Sequence, residues 1–303
     1  IKNPMNNLLL IDGTALVFRG FYAIPPLKSS KQTPTNAVLG FFNILIQLLK
    51  QEKPEYFAIC FDRGETTHRK QEYADYKANR SKAPDELYQQ IVIVQDLLRK
   101  ANLNYLDSPG YEADDIIATL CKTPNMHKRI YSSDFDLMQL IDDLTTVLKP
   151  SKGPKKYDEY HTENFIEKYH ITPAQVADYK GLSGDSSDNL PGVPGVGPKT
   201  AVKLIAEYNT LENIISSAEN IKGALGKKIQ ENKHLAELSK KLATLDDQVP
   251  NINVDLLHCD KINYEALILE LENLELNSLP SKVLGLKKIL DQNIVFENQQ
   301  SLF

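Results

Sequence analysis

Three short apolar runs in this chain close on aspartate. "NNLLLIDG" ends at Asp12, "EYFAICFD" at Asp62, and "RIYSSDFD" at Asp134 and Asp136. Short apolar runs flanked by turn formers predict buried strands. Helical stretches alternate with them. "TNAVLGFFNILIQLLKQE" starts at a Thr35 or Asn36 cap, "PDELYQQIVIVQDLLRKAN" carries Pro84 at its first turn, and "EADDIIATLCK" follows Gly110. Strands and helices in alternation predict an α/β domain, a mostly parallel central sheet flanked by helices. From about residue 171 the strands stop, and "TPAQVADYKGL", "PKTAVKLIAEY", "TLENIISSAE" and "KHLAELSKKLATL" all read as helices. The expected organisation is an α/β core over 6–170, an α-helical subdomain over 171–285, and a polar tail over 286–303.

Parallel strands share one C-terminal edge, and ligands bind there. Asp12, Asp62, Asp134 and Asp136 all fall at that edge. Asp134 and Asp136 share a face of an extended chain. "YEADD" adds Glu112, Asp114 and Asp115 at a helix start, and "GDSSDN" adds Asp185 and Asp188, three apart. Taken singly, each acid is better explained as a helix cap or a solvated surface charge. Their recurrence at strand ends favours a shared site. Carboxylates gathered this densely would repel one another and raise their pKa values unless divalent cations compensate. An all-oxygen set without His or Cys at ligand spacing favours magnesium or manganese over zinc.

Beside the last acidic pair lies "GVPGVGPKTA". Gly195 and Gly197 allow backbone N–H groups to approach a phosphate, a helix begins near Pro198, and Lys199 adds a charge at its positive end. A plain glycine-rich turn between packed helices fits this pattern equally well; the adjoining "GDSSDNLPG", which ends at Gly192, favours binding. A second basic segment, "RGETTHRKQEYADYKANRSK" over 63–82, interleaves Arg63, Arg69, Lys70, Lys77, Arg80 and Lys82 with Tyr73 and Tyr76. Cations beside aromatics suit phosphate contact and base stacking. On charge alone it would be a solvated insertion, but it directly follows Asp62.

Composition sets outer limits. A chain of 303 residues with 42% hydrophobic content can bury a sizeable core. No apolar run approaches the ~20 residues of a membrane span. No secretory leader is visible, Met5 reads as the native start, and a cytoplasmic protein is expected. Cys60, Cys121 and Cys259 are scattered and read as core thiols. The net charge of -5 argues mildly against a nucleic-acid partner, but the charge is unevenly spread.

The motifs "LLLIDGTALVFRGFYA", "FDRGETTHRKQEYADYKANR", "GYEADDIIATL", "SSDFDLMQL" and "GDSSDNLPGVPGVGPKTA" stand in the order found in the flap endonuclease family, and over residues 6–280 the chain resembles the 5′-nuclease domain of bacterial DNA polymerase I. The resemblance implies a PIN-like, metal-dependent α/β nuclease core with a basic arch at about 63–83 and a helix–three-turn–helix DNA clamp. It implies a monomer that cuts DNA at 5′ ends and at the bases of 5′ flaps in replication and repair. Carried over, the first metal group is Asp12, Asp62, Glu112 and Asp114; the second is Asp134, Asp136, Asp185 and Asp188, with Asp115 beside both. Lys77 and Arg80 match arch cations at the scissile phosphate, Tyr76 the aromatic near the 5′ nucleotide, and Arg19 a basic residue near the metals. Arg69, Gly192, Gly195, Gly197 and Lys199 join the DNA-binding set. Two Mg2+ ions are implied, with Mn2+ as substitute and K+ at the glycine turn. Ser133 stands where the family often has glycine.

Two other classes are weighed. A non-catalytic protein recognising branched DNA would not need the full acid set. A haloacid-dehalogenase-like phosphatase, suggested by "LIDGT", wants an aspartate where Leu10 stands. The end of the chain, "NQQSLF", resembles a bacterial sliding-clamp-binding peptide through Gln299, Leu302 and Phe303, with Gln300 departing from the leucine common at its position.

Overall fold

The computed structural model describes residues 6–64, 67–152 and 157–300, with backbone alone over 293–300. Leu302 and Phe303, and the side chain of Gln299, lie outside the described residues. Six strands form one sheet: β1 (Asn6–Asp12), β2 (Tyr56–Cys60), β3 (Tyr105–Leu106), β4 (Met126–Tyr131), β5 (Thr145–Pro150) and β6 (Tyr157–Tyr160). Their order is β3-β2-β1-β4-β5-β6; all neighbours run parallel except β5 and β6. The three strands expected from the apolar runs are β1, β2 and β4.

β1 is central, so both of its faces are covered. Leu9 and Ile11 enter one apolar cluster with Phe57 and Ile59 of β2, while Leu8 and Leu10 enter the other with Ala58 and Cys60. The first cluster lies under α1 (Gly13–Ala23), α2 (Asn36–Glu52) and α4 (Asp85–Lys100); the short α3 (His68–Glu72) sits in the basic segment between. α1 and α2 cross at two glycines. A Cβ added to Gly40 would stand 2.5 Å from the Gly20 Cα, so only glycine permits this approach. The α2 start agrees with the sequence, but its cap does not come from Thr35 or Asn36. Gln90 of α4 accepts from the Ala37 N–H at 2.7 Å, and the Asn36 amide instead donates to Phe21 O and Ile24 O.

The second cluster lies under α5 (Ala113–Cys121) and the helical elements that follow β6. These are α6 (Thr162–Tyr169), α7 (Val176–Ser183), α8 (Pro198–Tyr208), α9 (Leu211–Ser216), α10 (Ala224–Glu231) and α11 (Lys233–Ala243). The chain then returns. α12 (Tyr264–Asn273) and α13 (Pro280–Gln300) pack through Leu267, Leu271, Val283, Leu286 and Leu290 onto the first cluster, beside α2 and α4. This corrects the expected tail over 286–303: Leu286 and Leu290 are each only 2% exposed. It also means that the last helices cover the α/β core and do not extend the helical subdomain. Among the described residues no helix is long and apolar enough to cross a membrane.

Candidate active site

The strand order reverses between β1 and β4, and a sheet of this kind opens a crevice at the C-terminal ends there. Asp12 is the last residue of β1, and Ser132 to Asp134 follow β4 directly. The crevice widens into a cleft of about 590 Å³ lined by Asp12, Asp62, Asp114, Asp134, Lys77 and Arg80, with Arg19 and Tyr22 at its α1 wall.

Backbone donors fix three of these carboxylates. Asp12 caps α1, accepting from Ala15 N at 2.9 Å, and its other oxygen accepts from the Ser132 hydroxyl at 2.8 Å. Asp62 accepts from Ala113 N at 3.0 Å, at the start of α5. Asp134 accepts from Asp136 N at 2.8 Å. The capping explanation is therefore partly right, and it serves the site by holding carboxylates at one place. Burial pushes Asp12 up to about 7, with the charges of Asp62 and Asp134 adding to the rise. Asp114 is raised well above the ordinary carboxylate range by burial and by Asp134, Asp12 and Asp62. Asp134 thus acts on Asp12 and Asp114 as well as on Asp136, and it lines the cleft with Asp12, Asp62 and Asp114. Among the described residues no salt bridge neutralises these four.

The remaining acids are held by cations. Lys77 Nζ lies 2.9 Å from Glu112 Oε1, and Arg80 lies 2.6 Å from Asp188 Oδ1. Lys180, on α7, contacts Asp136 and lies 2.6 Å from Asp185. Burial pushes Asp136 up to about 7, opposed by Lys180; at Asp185 burial also raises, but Lys180 and Ser187 prevail and hold it low. Among the described residues no three such side chains already converge to hold an ion. The donor chemistry nevertheless fits one: oxygen donors only, with the charges of Asp62 and Asp134 adding to the rise at Asp12 and Asp114.

Four expectations change. Asp115 is fully buried and saturated: Arg69 grips both oxygens at 2.7 and 2.8 Å, and the N–H groups of Glu112 and Asp246 donate to it. Burial opposes its charge, but Arg69 holds its pKa below the usual range, so it has no oxygen to offer a metal. Arg69 is correspondingly not a DNA contact. It is 2% exposed and also donates to Leu242 O and Thr244 O. Tyr76, expected near a nucleotide, is 3% exposed, packed with Leu190, Leu242 and Ala243, and donates to Glu112 at 3.2 Å. Gly192 has φ +58, its N–H donates to Ser239 Oγ, and an added Cβ would stand 2.2 Å from Gly184 N, so it serves internal packing. Gly195, Gly197 and Lys199 are exposed at the start of α8.

The basic segment is thus docked through the buried Arg69 and Tyr76, while Arg63, Lys70, Arg80 and Lys82 stay exposed. Lys77 N donates to Asp188 O at 3.0 Å, Arg80 Nε to Ser187 O, and Asn189 reaches back to Asp75 O at 2.7 Å. Sequence reasoning missed Lys180, Ser132 and Thr14, whose hydroxyl accepts from Asp62 N at 3.1 Å. The hydroxyls adjoin flagged aspartates and could have been weighed with them. Lys180 carries no such signal beyond an uncompensated lysine in the apolar run before "GDSSDN".

Residues 7–170 match the family model of the 5′-3′ exonuclease N-terminal resolvase-like domain, and residues 171–265 that of the 5′-3′ exonuclease C-terminal SAM fold. A 5′-3′ exonuclease of Aquifex aeolicus is 38% identical over 304 residues, covering 99% of this chain and all of that one. DNA polymerase I of Bacillus subtilis is 39% identical over 300 residues, covering 97% of this chain. The chain spans about a third of the length of that polymerase. In fold it is similar to T5 5′-exonuclease solved with zinc ions (TM-score 0.66, 21% identity, 94% of this chain and 100% of that one). It is also similar to the catalytic core of Rad2 in complex with DNA substrate (TM-score 0.59, 18% identity, 89% of this chain and 88% of that one).

Proposed function

The chain belongs to the 5′-3′ exonuclease family, and we propose that its cleft hydrolyses DNA phosphodiester bonds at 5′ ends and at the bases of 5′ flaps during replication and repair. One observation carries this reading: Asp12, Asp62, Asp114 and Asp134, none neutralised by a salt bridge among the described residues, face Lys77 and Arg80 across one cleft. Carboxylates alone would repel a phosphodiester. Carboxylates with divalent cations, opposite a lysine and an arginine, make a site for one. Asp12, Asp62, Asp114 and Asp134 would hold one magnesium ion, and Asp136, Asp185 and Asp188 a second, with manganese as substitute. Bound there, the ions supply Lewis acidity toward the phosphate and activation of the attacking water.

The chain's own groups do the rest. Lys77 and Arg80 are tied to Glu112 and Asp188 by single ion pairs, and Arg80 is half exposed. Each can exchange its carboxylate for a phosphate oxygen and stabilise the charge that develops as the bond breaks. Arg19 lies on the α1 wall, within reach of the same strand. At the start of α8 the exposed Gly195 and Gly197 backbone, Lys199 and the helix dipole offer a grip on duplex phosphate that ignores sequence. Asp185 and Asp188 stand a few residues before that turn, so one segment couples where duplex is held to where it is cut. Proton loss from the attacking water and protonation of the leaving 3′ oxygen give a 5′-phosphate and a 3′-hydroxyl.

The same reading assigns a potassium ion to the glycine turn, a single chain as the working unit, the bacterial cytoplasm as its place, and a sliding clamp as a partner of Gln299, Leu302 and Phe303. For the last, the support is the residue pattern alone. A 5′-labelled flap substrate incubated with magnesium, with EDTA, and beside a plain phosphate ester tests the function. Magnesium-dependent release of the flap with the ester untouched is expected. Binding without cutting would leave a branched-DNA-binding protein, and ester hydrolysis would leave a phosphatase.

A further inference from the structure

We propose that Lys180 is a built-in counter-cation of the Asp136 and Asp185 half of the site, which lies beside the cleft and outside its lining, and that a divalent ion entering that half must compete with it. The Asp12, Asp62, Asp114 and Asp134 half has no such ion pair among the described residues; Lys77 lines it but pairs with Glu112. The proposal rests on the metal-dependent reading above.

Lysine is rarely buried unless paired. The Lys180 side chain is 5% exposed, and its ammonium reaches Asp136 and Asp185 together. The backbone enforces this. α7 ends at Ser183, and Gly184, at φ +68, turns the chain sharply; its N–H donates to Lys180 O at 2.9 Å. A Cβ at Gly184 would stand 2.5 Å from Leu190 O, so the turn admits glycine alone, and it brings Asp185 back over Lys180. The other two cations of the site differ. The Lys77 and Arg80 side chains are 22% and 51% exposed and line the cleft, whereas Lys180 does not. Lys180 is therefore placed to act on the carboxylates and not on DNA. Asp136, Asp185 and Asp188, held by Lys180 and Arg80, leave a single net negative charge, against four carboxylates without an ion pair among the described residues in the other half. Charge interactions at such distances are strong inside a protein. The first half accordingly binds a divalent ion tightly, and the second binds weakly and fills last.

Calorimetric titration of the full chain with manganese chloride, without DNA, tests this. Wild type should show a tight and a weak class. Lys180→Met should tighten the weak class by at least about tenfold while leaving the tight class within about twofold. Lys180→Arg, which keeps the charge, should behave as wild type. A purely structural Lys180 would leave the weak class unchanged or weaker in a folded Lys180→Met chain, and that result overturns the proposal while leaving the metal reading intact. No manganese binding by wild type overturns both. If Lys180→Met does not fold, wild type carries the test by 15N NMR. The Lys180 Nζ resonance should move over the magnesium range of the weak class and not that of the tight class. A resonance fixed through saturation overturns the proposal.

Discussion

At the scale of single residues, one sequence motif separates into two fates. In "YEADD", Asp114 faces the cleft with three other carboxylates, while Asp115 is consumed by Arg69. Both are acids at a helix start, and nothing local distinguishes them. The difference comes from Arg69, which also pairs with Glu112 and whose backbone partners, Leu242 O and Thr244 O, lie 173 and 175 residues away in sequence. The strand-end aspartates were legible because continuous apolar runs announce buried parallel strands. The buried partners were not, because pairing across such distances leaves no periodic trace. A pH dependence follows from Asp12 and Asp136. Both have folded-state pKa values raised from 3.8 to about 7. Above pH 4 the unfolded chain has lost these protons and the folded chain keeps them, so unfolding releases protons. Without metal, stability from these two groups therefore falls as pH rises from about 4 to 7. Asp12→Asn should raise metal-free stability at pH 8 by about 2 kcal/mol and at pH 5 by far less. Urea unfolding at the two pH values checks this, and equal gains at both would show that Asp12 titrates normally.

At the scale of elements, the glycine turn and the basic segment reverse the expected balance. The basic segment, lacking apolar periodicity, reads as a loose insertion. Yet Tyr76 and Arg69 anchor it among Leu190, Leu242, Ala243 and the carbonyls of Leu242 and Thr244 at the end of α11, leaving Lys77 and Arg80 at the cleft. Its anchor is tertiary, so sequence could locate the cations but not the packing that aims them. The turn before α8 keeps its exposed glycines as expected, except for Gly192. Here Gly197→Val is the cleaner test. Gly197 has φ -94 and nothing within 4 Å of an added Cβ, so valine fits without strain, whereas Gly195 at φ +84 would also distort the turn. Gly197→Val should weaken duplex binding and flatten the salt dependence by a slope of about 0.9, one phosphate contact. Fluorescence anisotropy across a potassium chloride series measures both. An unchanged slope and affinity would make this a turn with no part in binding.

At the scale of the whole molecule, the α/β core and the helical part after residue 170 were readable from alternating and then continuous helical patterns. The return of α12 and α13 to the core was not, because an amphipathic helix does not say which apolar face it covers. The edge strands β3, of two residues, and β6, of four, and the short β5 beside β6 carry too little apolar signal to be seen. What the assembled molecule adds is a single cleft. One sheet edge supplies Asp12, Asp62 and Asp134, a helix start supplies Asp114, and the basic segment after β2 supplies Lys77 and Arg80. In the function proposed above, that cleft is where a phosphodiester is cut. The direct test is single-turnover cleavage of a 5′-flap substrate in magnesium by wild type and Asp134→Asn, with flap affinity measured separately in the absence of divalent ions. Asp134→Asn should lower the cleavage rate by more than about a hundredfold while binding the flap as well as wild type. Cleavage by Asp134→Asn at the wild-type rate, at limiting magnesium, would contradict the account.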